Sequence, residues 1–237
     1  MEITKRYEIK PGANLKGADL YGVNLEEADL EGVDLRRANL EGANLKGASL
    51  KGANLNGADL YGANLKGADL RRANLEGADL EGVYLRKADL EGVYLRRANL
   101  EGADLEGVNL EGVNLKGAYL RRAGLEGANL KGASLEGVDL YGADLVGADL
   151  RRSDLEGANL GYANLGEANL VGANLGGVYL YGANLEGVDI SGANLEGANL
   201  LGMKIDDGQG NVYECQKDGW SIIGNIATMK INNHLIV

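Results

Sequence analysis

Small apolar, polar and large apolar residues alternate along this chain in units of five. From Ala13 to Ile205 the sequence divides into 39 consecutive pentads without an insertion, and the third place is Leu in all except Ile190 and Ile205. The first place is Ala or Val in 37 pentads, and the second is Asn or Asp in 31. A period of five matches neither the 3.6 of a helix nor the 2 of a long strand. The pattern predicts short extended segments separated by regular turns.

The fourth and fifth places of each pentad supply the turn. Gly occupies 29 of the 38 fifth places between residues 17 and 202, as the second central residue of a type II turn requires, since that residue has a positive φ. Each pentad is then one side and one corner of a coil. The sequence predicts a different turn geometry for the nine corners without Gly, which are Glu27, Arg37, Arg72, Lys87, Arg97, Arg122, Arg152, Tyr162 and Glu167.

Four corner tyrosines indicate how many pentads make one coil. Tyr21, Tyr61, Tyr141 and Tyr181 are eight, sixteen and eight pentads apart, and all of these intervals are multiples of four pentads. Four pentads to a coil predict about ten stacked coils, and a spacing of about 4.8 Å between strands gives a column about 45 to 50 Å long. Leu with Ala or Val fills the interior, so the column is packed and has no internal room for a substrate or cofactor.

Pentads such as Ala53-Asn54-Leu55-Asn56-Gly57 resemble the pentapeptide repeat family, and the resemblance covers residues 13 to 205. It implies an all-β fold, a right-handed quadrilateral β-helix. Many members of that family have no known role, so the resemblance implies little about activity.

Both ends of such a stack expose unpaired strand edges, so caps are expected. Residues 1–11 alternate and end at Pro11, which predicts an N-terminal capping strand before a β-helix of residues 12–205. Residues 206–237 leave the pentad and predict a hairpin of strands 211–215 and 220–223, with 231–237 as a third strand. This segment either covers the last coil or forms the seam of a homodimer.

Composition restricts the cellular compartments and the classes of partner that are expected for this protein. The net charge is −11, which argues against direct binding of nucleic acid because phosphate contacts need a basic surface. A single Cys excludes an internal disulfide framework. There is no apolar run of membrane-spanning length and no apolar signal core near the N-terminus. We expect a cytoplasmic protein that does not contact a membrane.

The sequence offers no catalytic, cofactor or metal site. Cys215 and His234 are the one Cys and the one His, and their spacing supports neither a nucleophilic dyad nor a zinc site. No phosphate-binding glycine motif occurs. We therefore expect a protein that is not an enzyme and that carries no cofactor.

When the chain is folded onto four faces, the Asp residues at the second places of the pentads are unevenly distributed among those faces. Nine of the thirteen repeat Asp fall on two opposite faces. One of these faces also carries two tyrosines and borders the corner with four more, and exposed aromatics beside carboxylates favour protein interfaces. The predicted partner-binding residues are Asp19, Asp59, Asp79, Asp139, Tyr21, Tyr61, Tyr119, Tyr141, Tyr179 and Tyr181. The opposite face carries Asp29, Asp69, Asp89, Asp149 and Asp189.

Two functional hypotheses follow. The first is a rigid acidic rod that serves as an interaction scaffold for a protein partner. The alternative comes from the resemblance, since quinolone-resistance members of the family mimic DNA and bind type II topoisomerase (gyrase). Those relatives mix Phe into the central place and often interrupt their coils with loops, whereas this chain has no Phe and no interruption between residues 13 and 205.

Overall fold

A computed structural model describes residues 7–202, 204–206, 212–216 and 219–222. Over the repeat the chain winds into a four-sided β-helix, in which the second place of each pentad pairs in parallel with the second place twenty positions later. This pairing continues at every pentad from Asn14↔Asp34 to Tyr179↔Asn199. Four pentads therefore make one coil, which confirms the prediction from the tyrosine spacing.

Backbone hydrogen bonds join each coil to the next on all four sides. The N–H of Leu15 donates to the carbonyl of Asp34 at 2.8 Å, and the N–H of Asp34 donates to the carbonyl of Ala13 at 2.9 Å. Each corner is closed by a turn, as where the N–H of Ala18 donates to the carbonyl of Leu15 at 2.9 Å. The second turn residue also donates to the next coil, so the corners are part of the same hydrogen-bonded lattice.

The nine corners without Gly have the same turn as the others, and the predicted difference in geometry is wrong. Their second turn residues have φ between 55° and 62°, against 59° to 70° for the corner glycines of the repeat. A left-handed conformation costs an L-residue about 1–2 kcal/mol. The lattice imposes it nonetheless, because a different turn would remove the corner hydrogen bonds to the neighbouring coils.

The side chains of eight of these nine residues, all except Lys87, extend along the rod axis toward the next coil. A Cβ built on Gly47 would lie 3.4 Å from Cγ of Glu27, and one built on Gly142 would lie 3.7 Å from Cγ of Arg122. In all nine cases the residue twenty positions later is Gly. A corner that carries a side chain in the left-handed position is thus followed in the same column by one that does not.

The interior consists of the first and third places, as the sequence predicts. Leu and Ala or Val form one continuous buried cluster from Ala13 to Leu185, in which Leu105 is fully buried. Each buried Leu contributes about 1.5–3 kcal/mol before chain entropy is subtracted. Ser153 takes a first place, and its hydroxyl donates to the carbonyl of Leu150 at 2.7 Å. A polar group is therefore accommodated in the core by its own turn.

The last coil continues into an antiparallel hairpin. Strands β1 (Asn184–Leu185), β2 (Lys204–Asp206), β3 (Val212–Gln216) and β4 (Gly219–Ile222) form one sheet in that order. β1 and β2 are parallel, whereas β2–β3 and β3–β4 are antiparallel. The predicted hairpin is present as β3 and β4.

Other predictions for the ends fall outside the described residues. These are the third strand at 231–237, most of the dimer seam, and residues 1–6 of the N-terminal capping strand. The structure assigns no strand to residues 7–11. Tyr7 packs against the core, and its hydroxyl accepts a hydrogen bond from the N–H of Asp19 at 3.2 Å.

Candidate interaction surface

The residues predicted to bind a partner lie on one strip of the rod. Its face consists of every fourth second-place residue from Asp19 to Asn199, and these pair in an unbroken ladder. Its corner consists of the turn pairs that follow this face, from residues 21–22 to 201–202. We call this face and corner strip A. It holds all ten predicted positions, which are Asp19, Asp59, Asp79, Asp139, Tyr21, Tyr61, Tyr119, Tyr141, Tyr179 and Tyr181.

The Asp side chains of strip A cap the turns that follow them. Oδ1 of Asp59 accepts the backbone N–H of Tyr61 at 3.0 Å. Asn39, at the equivalent place of the coil before, accepts the N–H of Glu41 at 3.0 Å in the same way. This cap therefore uses an acceptor oxygen two residues earlier and does not require a negative charge. The negative charge of Asp at these places is therefore not needed for the turn.

In the N-terminal half of strip A these charges are not neutralised. Six carboxylates follow one another over five successive coils, and within the described residues none of them lies within 4.0 Å of a cationic side chain. Asp79 and Glu81 accept hydrogen bonds from the neutral amide of Asn99, at 3.0 and 3.3 Å. We call this set the acidic ridge, and it consists of Asp19, Glu41, Asp59, Asp79, Glu81 and Glu101.

The opposite acidic face is largely neutralised. Nε of Arg71 donates to Oδ1 of Asp69 at 2.9 Å, and Arg151 binds Asp149 in the same way at 2.8 Å. Hydrogen bonding to these guanidinium groups lowers the pKa of both carboxyls. Arg71 also lies 3.5 Å from Asp89. The two faces that look alike in the distribution of Asp therefore differ in net charge.

Six corners of the repeat carry two adjacent cationic residues, and we call these pairs the basic doublets. The first Arg of a doublet often reaches back to the Asp two residues earlier, as Arg36 does to Asp34 with 2.8 Å between Nε and Oδ1. This pairing lowers the pKa of Asp34 to about 2. The second member of the doublet, such as Arg37, lies over the glycine of the next coil. Five of the six basic doublets pair with an Asp in this structure.

The C-terminal half of strip A is aromatic. The rings of Tyr141, Tyr162 and Tyr181 form a ladder, with centroids 5.4 and 5.3 Å apart and edge-to-face angles of 65° and 78°. Each such pair contributes about 0.5–1.5 kcal/mol beyond the area it buries. The guanidinium carbon of Arg121 lies 4.9 Å from the Tyr141 centroid, and Arg121 also pairs with Asp139 at 3.2 Å. The one predicted Asp of this half is thus neutralised.

Glycines provide the space for these rings. A Cβ on Gly161 would lie 3.2 Å from Cδ2 of Tyr141, and one on Gly182 would lie 2.9 Å from Cε1 of Tyr162. Each ring therefore leans toward the C-terminal end of the rod and covers a glycine of the next coil. The ladder depends on this placement of glycine as much as on the tyrosines.

Sequence reasoning missed four members of the strip, which are Tyr162, Glu41, Glu81 and Glu101. A signal for the three Glu was present, because they occupy the same turn place as Tyr21, at whole-coil intervals of four pentads. Tyr162 occupies the second turn place, and its position in the ladder follows only from the direction of its side chain.

Neither a metal-binding cluster nor a membrane-spanning helix is found among the described residues. They contain no cluster of three or more His, Cys, Asp or Glu that could hold a metal ion. Nor does that part of the chain include a helix of the length and apolarity needed to cross a bilayer. His234 and the side chain of Cys215 lie outside the described residues.

Comparison with known proteins gives consistent matches for the repeat. The family model for pentapeptide repeats matches in eight copies that together span residues 11–202. The crystal structure of HetL, a pentapeptide repeat protein involved in heterocyst differentiation regulation from the cyanobacterium Nostoc sp. strain PCC 7120, is 35% identical over 84% of this chain and 92% of its own, with a TM-score of 0.34. No functionally curated protein shows significant similarity to the sequence.

Two further solved structures are similar over smaller shares or at lower identity. A pentapeptide repeat protein from the Arabidopsis thaliana thylakoid lumen is 32% identical over 54% of this chain and 69% of its own, with a TM-score of 0.21. Full-length QnrB1, a plasmid-mediated fluoroquinolone resistance protein, is 16% identical over 84% of this chain and 92% of its own, with a TM-score of 0.42.

Proposed function

Because this chain belongs to the pentapeptide repeat family and forms its right-handed quadrilateral β-helix, we propose that it is a non-enzymatic interaction scaffold. Its acidic ridge binds a basic surface on a protein partner. The rod supplies a rigid, pre-formed geometry, since every outward residue is fixed by the hydrogen-bonded lattice beneath it. Rigidity of this kind lowers the entropy lost on association.

One observation carries this proposal, namely that all six carboxylates of the acidic ridge lack an ion pair within the described residues. Elsewhere on the same rod Arg and Lys neutralise many carboxylates, as Lys46 does Glu26 at 2.8 Å. Six like charges over five coils, about 20 Å at about 4.8 Å per coil, produce a potential that attracts a complementary surface. Tyr21 and Tyr61 add exposed rings between them, at 67% and 49% exposure.

A second candidate function uses the same ridge. A row of carboxylates on successive coils is chemically similar to the row of phosphates along a DNA strand. The DNA-binding surface of a type II topoisomerase is then a basic partner of suitable charge. On this alternative the protein protects supercoiling by gyrase against a quinolone, most strongly at low salt because salt screens the charges.

The test neutralises the ridge without altering the turns. The ridge variant carries Asp59→Asn, Asp79→Asn and Glu81→Gln, and Asn already caps the turn at many second places. The control variant makes the same change of charge on the far side of the rod, with Asp29→Asn, Glu91→Gln and Asp189→Asn. Both variants and the parent are tested for quinolone protection of gyrase and as baits in extracts of the native host.

The scaffold proposal expects a basic protein captured by the parent and the control variant but not by the ridge variant. The gyrase alternative expects the same pattern in supercoiling protection. Capture that survives in the ridge variant would refute binding through the ridge. Unchanged gyrase activity at stoichiometric excess of the parent would remove the alternative.

A further inference from the structure

One corner of the repeat carries no side chain at all. Gly176-Gly177 is the single pair of turn residues in which both places are Gly, and it lies between the face of Asn174 and the face of Tyr179. Two surface depressions of about 420 and 380 Å³ adjoin this corner, and Gly157 and Gly177 line both of them. The two depressions thus meet at this corner, and we call them together the cross groove.

The cross groove has an aromatic end on strip A. Tyr141, Tyr179 and Tyr181 line this end, and Tyr179 and Tyr181 are 52% and 40% exposed. The ring of Tyr141 already carries the guanidinium of Arg121 at 4.9 Å, whereas no other ring in the described part of the chain has a cation over it. The molecule itself thus shows the kind of group that this tyrosine ladder accepts.

The other end of the cross groove is acidic. Glu156 and Glu196 line it, and Gly176 lies in the coil between them. Neither glutamate forms an ion pair with another described residue. The amide of Asn174 donates to Oε2 of Glu156 at 3.3 Å, and it is a neutral partner. This end is therefore complementary to a positive charge.

We propose that the cross groove binds an extended, arginine-bearing segment of a protein partner. One guanidinium stacks on Tyr179 and Tyr181, and a second basic side chain pairs with Glu156 and Glu196 across the bare Gly176-Gly177 corner. Arg suits the aromatic end better than Lys, because its planar, weakly hydrated guanidinium stacks on rings. The inference deepens the proposed function and rests on it for the partner being a protein.

The probe is a fluorescein-labelled peptide of sequence GSRGSRGS, with GSKGSKGS for comparison, and binding to the full chain is followed by fluorescence anisotropy at about 0.15 M salt. Two variants alter the cross groove: Gly176→Gln, which fills the bare corner, and the pair Tyr179→Ser with Tyr181→Ser. The matched control is Tyr84→Ser with Tyr94→Ser, which removes two exposed second-place tyrosines that do not line the cross groove. Gly176 does not have a positive φ, and a Cβ added there would lie 3.2 Å from Oδ1 of Asn174, a contact that a small movement of that side chain relieves. Circular dichroism and thermal melting verify that each variant is folded.

We expect each groove variant to weaken binding of the Arg peptide about tenfold, equivalent to one cation–π contact of about 1.4 kcal/mol. The control should bind as the parent does, and the Lys peptide should bind several-fold more weakly. Neutralising the acidic ridge should leave the ratio of Arg to Lys affinities unchanged.

Three outcomes would overturn the inference: no binding of either peptide, equal binding of both, or Arg-peptide binding that the groove variants leave intact. If the ridge variant alone abolished binding, the peptide would be recognised by the ridge. The cross groove would then be rejected while the proposed function stood.

Discussion

The two halves of strip A are built on one backbone lattice and present opposite chemistry. The N-terminal half carries the six carboxylates of the acidic ridge, and the C-terminal half carries the ladder of Tyr141, Tyr162 and Tyr181. Backbone pairing is the same in both halves, from Asp19↔Asn39 to Tyr179↔Asn199. The backbone fold therefore does not depend on which residues occupy the outward places. A charged surface and an aromatic surface can for this reason lie on the same face.

Glycine has a different role in each half. Gly62 and Gly82 have open space around the position of a Cβ, and Gly serves there only to adopt a positive φ. Gly182 has a similar φ but lies directly under the ring of Tyr162. In the C-terminal half glycine therefore also provides the space that allows the tyrosine rings to contact one another.

The largest effect is expected from breaking the stack between the two halves. Leu105 is fully buried, and Leu105→Asp places an unpaired charge in the core, which should cost more than about 4 kcal/mol. Each coil contacts only its neighbours, so the damage should begin at the junction. Thermal melting measures the loss, and hydrogen exchange shows separately how each half responds. Asn109→Asp adds the same charge at an outward place and should melt as the parent does. A native melting curve for Leu105→Asp would contradict the inward position.

A smaller effect should separate the two roles of glycine. Gly82→Ala should cost about 1 kcal/mol, because Ala must adopt a positive φ in open space. Gly182→Ala should cost about 1 kcal/mol more, since its Cβ would lie 2.9 Å from the Tyr162 ring and would disturb two aromatic contacts. Urea denaturation gives both values, and the tyrosine NMR shifts should move only in the second variant. Equal costs with unmoved shifts would show that the ladder does not rest on Gly182.

The smallest effect distinguishes a neutralised carboxylate from those of the ridge. Arg36 lowers the pKa of Asp34 to about 2, below the ordinary value of 3.8. A lowered pKa in the folded state gives stability that is present above pH 4 and is lost as the pH falls through about 2. Asp34→Asn should therefore destabilise the protein by less than about 1 kcal/mol at pH 7, since the pair is solvent-screened, and should have a clearly smaller effect at pH 2, where about half of the Asp34 carboxyls are protonated. Asp59→Asn, which removes a carboxylate without an ion pair in the described residues, is the control for the loss of charge alone. An equal effect of Asp34→Asn at both pH values would contradict the pairing with Arg36.

The repeat lattice could be predicted from the sequence, because it follows from local pattern. The inward Leu, the turn at the fifth place and the coil of four pentads are set by residue type and period. The turn at Arg37 or Tyr162 could not be predicted in this way, since a neighbouring coil imposes a conformation that the residue itself disfavours. Cooperation between coils outweighs the local preference of a single corner.

The placement of these residues on one strip was predictable from the sequence, whereas the charge of the strip was not. Folding the chain at four pentads per coil places Asp59, Tyr61 and Tyr141 on one strip. Whether a carboxylate is neutralised depends on the direction of a nearby Arg side chain, as for Asp69 beside Arg71. The direction of the Arg side chain depends on how it packs in the folded protein, so it could not be predicted from the sequence.

Because each coil contains four pentads, the number of pentads between two outward residues determines whether they face the same side of the rod. Inserting four pentads between Glu101 and Tyr141 would lengthen the rod by one coil, about 4.8 Å, and leave both halves of strip A on the same side. Inserting a single pentad would keep every Leu inward but turn the distal half by a quarter revolution. The acidic ridge and the tyrosine ladder would then face different directions, and one partner could no longer touch both.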